Sequence, residues 1–243
     1  MSTTSQPDTT TGPRKKGKVM ALAAGALAAA GALTGGLLWY QSSRGGDGPK
    51  PYTVSLPATV LDGSFKKDGD EGGTEDLTKD ATSKKLGITD AKGAMGRYAN
   101  ADKQELNVMG VYGRIDDPRK TLDAMLAMAD KGMNQHDSTF PGMKSETLTP
   151  WTEFRPSGFD GTSMRCTASR TTGKTGPASF AHELAQCVWV DGSAVGIVQH
   201  TVTKYEGLPS SARNEPGAKG KAMSAKELSE ATAKVRGEVR QEK

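Results

Sequence analysis

Residues 183–203, ELAQCVWVDGSAVGIVQHTVT, decide the fold. Two runs rich in Val, Ile, Trp and Thr, Glu183 to Val190 and Ala194 to Thr203, flank Asp191-Gly192, a dipeptide that tolerates the positive φ of a tight hairpin turn. The reading is an antiparallel pair. Working outward, Thr162 to Arg170 has the same character and adds a third strand. Gly93 to Tyr98 and Leu106 to Ile115 form an earlier hairpin that turns near Asn100, Ala101 and Asp102. Lys144 to Thr149 is a further short strand. Asp117-Pro118 supplies an N-cap and a proline at the first helical position, and Leu122, Met125, Leu126 and Ala129 then recur at helical spacing up to Gly132. Near the end, Ser224 and Glu227 make a capping box ahead of an apolar stripe at Leu228, Ala231, Val235 and Val239. Between these elements, Lys66 to Asp80 reads as a solvated charged loop, Pro150 to Gly161 as a loop rich in Pro and aromatics, and Tyr205 to Ala222 as a linker. The expected architecture is α+β: one domain over residues 52–243 with a mostly antiparallel sheet, one helix after the first hairpin and a C-terminal helix.

The charge distribution concerns topology rather than partners. Arg14, Lys15, Lys16 and Lys18 against Asp8 account for most of the net charge of +4, so the remainder is nearly neutral and has no field to draw nucleic acid. Val19 to Tyr40 is 22 residues dominated by Ala, Leu and Gly. As a helix it would span about 33 Å, enough to cross a hydrocarbon core of about 30 Å. The expectation is a transmembrane helix over 19–40, a disordered cytoplasmic tail over 1–18, a linker over 41–51, and residues 52–243 outside the cell, because basic residues stay on the cytoplasmic side. The competing reading is a cleaved signal, with small-x-small sites at Ala28, Ala30 and Ala32, and a secreted product. Gly31 and Gly35 stand at the small-xxx-small spacing that lets membrane helices approach, so helix-mediated self-association is a candidate.

That topology places Cys166 and Cys187 in an oxidising compartment, where a disulfide is expected. Closing a loop of that size stabilises by about 3 kcal/mol in the chain-entropy account. The reactive alternative would want CxxC spacing, which is absent.

Complete catalytic motifs are absent. His136, His182 and His200 stand outside HExxH and outside metal-ligand spacing, so neither a metal nor another cofactor is expected. Ser64-Phe65-Lys66-Lys67 matches SxxK and Lys174-Thr175-Gly176 matches KTG, but the SDN element of that site is missing. Pro150 to Asp160 holds Trp151, Phe154 and Phe159, a candidate binding loop, since aromatics offer large contact area at low entropy cost. Glu153 and Asp160 in the same stretch make a conceivable carboxylate pair.

Leu56-Pro57-Ala58-Thr59-Val60-Leu61-Asp62-Gly63, the strand ending Gly110-Val111-Tyr112-Gly113-Arg114-Ile115-Asp116-Asp117-Pro118, and Cys166 with Cys187-Val188-Trp189 resemble a family of single-pass or secreted proteins of Streptomyces-type actinobacteria. The resemblance agrees with the topology and the disulfide, and it carries over no reaction and no site. The functional expectation is a membrane-anchored extracytoplasmic module that binds an envelope protein or polysaccharide without catalysis. The alternative is a surface or secreted hydrolase using carboxylates near the aromatic loop.

Overall fold

The computed structural model describes residues 50–69, 73–139, 142–175, 178–207 and 217–242. The expected tail 1–18, the span 19–40 and residues 41–49 of the linker lie outside them. Among the described residues no helix is long and apolar enough to cross a membrane.

The chain enters through β1 (Tyr52–Val54), β2 (Thr59–Val60), β3 (Phe65–Lys67) and β4 (Thr74–Asp76), then a short helix, α1 (Ala81–Lys85). Two long strands follow, β5 (Ile88–Ala99) and β6 (Glu105–Ile115), and then α2 (Pro118–Thr139). A four-strand meander comes next: β7 (Met143–Glu153), β8 (Ser163–Thr175), β9 (Ala178–Val190) and β10 (Ala194–Glu206). The chain closes with α3 (Ala225–Val239) and β11 (Arg240–Glu242). Nine strands make one sheet in the order β2-β3-β5-β6-β10-β9-β8-β7, with β4 also on β5, and the pairings are antiparallel. The α+β reading with a mostly antiparallel sheet, one helix after the first hairpin and a C-terminal helix holds.

The founding hairpin is where the sequence puts it, with β9 and β10 in register from Val190↔Val195 outward. Its strands read as nearly continuous apolar runs because both faces are covered. Cys187 and Trp189 join Leu228, Val235 and Val239 of α3 in one core. Val188 and Val190 point the other way and join Leu122 and Leu126 of α2 in a second. Alternation along one strand thus assigns the two helices to opposite faces. On the α3 face the Trp189 ring lies over Gly196, where a Cβ would stand 2.0 Å from a ring carbon. The cysteines form the expected disulfide and sit directly opposite each other on β8 and β9, so the bond also pins the register of a Thr- and Ser-rich strand.

Several boundaries differ from the sequence reading. The stretch expected as a loop from Pro150 is strand up to Glu153, carried through two irregularities in the β7–β8 register. Pro150 fits there because β7 is the sheet edge, where a missing N–H costs little. The strands expected over Thr162 to Arg170 and from Glu183 are longer than read, since β8 runs to Thr175 and β9 starts at Ala178. The charged run from Lys66 contains the end of β3 and all of β4, whose residues are exposed. β1 and β11 had no signal: three-residue strands show no periodicity, yet Tyr52–Val54 pairs with Arg240–Glu242 and joins the two ends of the domain.

Candidate functional site

The aromatic candidates divide between the two faces. Trp151 stands in β7 against the α2-side core, and its indole N–H donates to Asp130 Oδ1 at 2.9 Å. Phe154 and Phe159 pack on the α3-side core. The three rings do not form one binding face. The carboxylates are likewise separated by partner: Glu153 pairs with Arg155 at 3.1 Å, whereas Asp160 pairs with Arg236 and Arg240.

Phe159 leads to a buried polar cluster. The hairpin turn begins it. Asp191 is fully buried; its Oδ1 accepts from the backbone N–H of Ser193 at 2.8 Å and of Ala194 at 3.1 Å, closing the turn. Its Oδ2 accepts from the Tyr52 hydroxyl at 2.7 Å and from Arg236 Nη2 at 2.8 Å. Burial, with the Asp191 charge beside it, pushes the Tyr52 phenol well above its ordinary range, so it stays a donor. Arg236 is only 3% exposed. Its guanidinium lies over the rings of Tyr52 and Phe159, at 5.6 and 5.4 Å from their centroids. Burial disfavours the Arg236 charge, but the Asp191 and Asp160 carboxylates outweigh it and keep the group protonated.

Asp160 closes the cluster from outside. It accepts from Arg236 Nη1 on Oδ1 and from Arg240 Nη1 on Oδ2, the latter at 2.9 Å. Arg240 in turn stacks on Tyr52 at 5.0 Å. Burial alone would raise the Asp160 pKa; the two arginine hydrogen bonds overcome it and hold the carboxyl below its usual range.

The same end of α3 binds a second loop. Leu61, Asp62 and Gly63 all adopt positive φ, at 55°, 56° and 82°. For leucine this costs on the order of 1–3 kcal/mol. The conformation aims the N–H groups of Leu61 and Asp62 at the Glu238 carboxylate, 2.8 and 3.1 Å away, as a backbone nest, and Lys234 pairs with Asp62. Lys234, Arg236, Glu238 and Arg240 therefore tie the loops after β2, β7 and β9 to one helix end.

Of the histidines, His200 is fully buried beneath Phe65, with Nδ1 accepting from the Met223 N–H at 2.9 Å. Burial pushes its pKa down to about 4, so the ring is neutral. His182 Nδ1 is 2.9 Å from the Thr203 hydroxyl, and burial lowers its pKa as well. The SxxK element begins just before β3 and Lys174-Thr175 of KTG lie at the end of β8, with four strands between β3 and β8 in the sheet; Gly176 lies outside the described residues. Among the described residues no group of three His, Cys, Asp or Glu stands close enough to hold a metal ion.

Sequence reasoning missed Tyr52, Asp191, Arg236 and Arg240 as a unit. Part of the signal was present, because Asp191-Gly192-Ser193 is an Asx-turn sequence and Arg236 falls eight residues after Leu228, on the buried stripe. Compared with protein-family models, curated proteins and solved structures, the chain matches none.

Proposed function

We propose that this chain is a membrane-anchored extracytoplasmic module that binds an envelope protein or polysaccharide without catalysing a reaction on it, with residues 19–40 as the anchor. The observation that carries the non-catalytic part is the pairing of the carboxylates. Glu153, Asp160 and Asp191 each have an arginine partner, and Asp160 is held below its usual pKa range. A glycosidase-type general acid needs the reverse, a carboxyl raised toward neutrality. The basic flank and 22-residue apolar stretch support the anchor, and the Cys166–Cys187 bond supports an oxidising compartment.

The test uses the full chain in mild detergent with purified cell-envelope material. Co-sedimentation with no soluble sugar or peptide released is the expected result. Release of soluble fragments that grows with protein concentration would establish the hydrolase alternative instead.

A further inference from the structure

We propose that Arg236 and Arg240 form a carboxylate-binding site that Asp160 fills in the resting protein and that an external carboxylate can take in its place. The inference deepens the binding reading and rests on it only for the natural ligand; the chemistry of the site stands on the geometry below.

Two carboxylates meet Arg236, and they differ. Asp191 belongs to the frame: it is fully buried and takes four donors from the turn, β1 and α3. Asp160 arrives from a surface segment outside any helix or strand, its side chain is 47% exposed, and its hydrogen-bond partners are the two guanidinium groups. The arginines do not need Asp160 for their placement. Arg236 is fixed by Asp191, Tyr52 and Phe159, and Arg240 by the Tyr52 ring and by Glu242, whose exposed carboxylate stands 3.9 Å from its Nη2.

Asp160 occupies only Nη1 of each arginine, and the buried Nε of both have no hydrogen-bond partner among the described residues. Two guanidinium groups that converge on one carboxylate are suited to a planar, two-oxygen anion. Exchange of one carboxylate for another leaves the net charge of the cluster unchanged, so no uncompensated buried charge arises. The tethered Asp160 competes at an effective concentration in the millimolar range, so a free monocarboxylate binds the native protein weakly. A ligand that also touches the Phe159 loop, or presents several carboxylates, gains the advantage.

The test titrates acetate at constant ionic strength, with chloride as the balancing anion, into full-length wild type, Asp160→Ala, Asp160→Asn and Asp160→Ala/Arg240→Ala, following the melting temperature. Asp160→Ala and Asp160→Asn should each show a saturable rise with a midpoint at least tenfold below that of wild type, and the double variant should lose it. Two independent replacements of Asp160 keep the test decisive if one fails to fold. An equal response to chloride, no saturable response in either single variant, or an undiminished response with Arg240 removed would overturn the site. Saturation by inorganic phosphate but not acetate would overturn its assignment to carboxylates. Failure here leaves envelope binding by another surface standing, and failure of envelope binding leaves the acetate result intact.

Discussion

The two helices that cover the sheet are held by different chemistry. α2 packs through Leu122 and Leu126 onto Val188, Val190 and Val195; its polar ties are one buried neutral hydrogen bond, from the Thr121 hydroxyl to the Leu86 carbonyl at 2.7 Å, and two at the surface, Arg165–Asp123 at 3.5 Å and Trp151–Asp130. α3 adds to its apolar stripe a capping box and a buried arginine paired with Asp191 of the hairpin turn. Apolar packing tolerates a helix that shifts by a fraction of a turn. A buried ion pair with fixed donors tolerates no such shift, because a charge displaced inside the core is left unpaired. Among the described residues the buried ion pair belongs to the α3 side, where it also fixes the positions of three loops.

That contrast breaks most decisively at Arg236. Arg236→Met should cost about 3–5 kcal/mol in denaturant unfolding, since it leaves the fully buried Asp191 without its counter-charge. Adding Asp191→Asn should recover part of the loss; an Arg236→Met protein as stable as wild type would show that the α3 side is held by apolar contact alone.

Removing the disulfide by reduction or by Cys166→Ala/Cys187→Ala should lower stability by about 3 kcal/mol. In the oxidised folded protein neither Cys166 nor Cys187 should be alkylated until the bond is reduced, because the bond leaves no free thiol.

Acid should weaken the α3 side next. The folded-state pKa of His200, about 4, lies below its ordinary value of 6.5, so the unfolded chain takes the proton first. Stability is complete above pH 6.5 and is lost as pH falls toward 4, by an amount on the order of 3 kcal/mol at most. Melting curves of wild type and His200→Gln across this window should diverge at neutral pH and converge in acid; parallel curves would remove His200 from the account.

The smallest effect belongs to α2. Asp123→Ala breaks an exposed ion pair and should change stability by no more than about 0.5 kcal/mol.

The long elements were legible because their periodicity reports burial. Val188 and Trp189 point to opposite helices, and a run apolar on both faces is what a covered strand requires. The capping box at Ser224 and Glu227 appears as read. The cluster was less legible because its members are far apart in the chain. Tyr52 meets Asp191 across 139 residues, and a single polar residue on an apolar stripe, as Arg236 is, does not disclose its partner. Trp151 and Phe159 looked like one loop because sequence distance hides the edge-strand geometry that sends them to opposite faces.

The most direct test of the functional account is fractionation of cells expressing the full chain, with external protease and mass determination of the recovered N-terminus. The account predicts an uncleaved chain in the membrane fraction, with the domain after residue 51 open to external protease and Cys166 bonded to Cys187. A chain recovered from the cytosol, shielded from protease and with both thiols free, would contradict it.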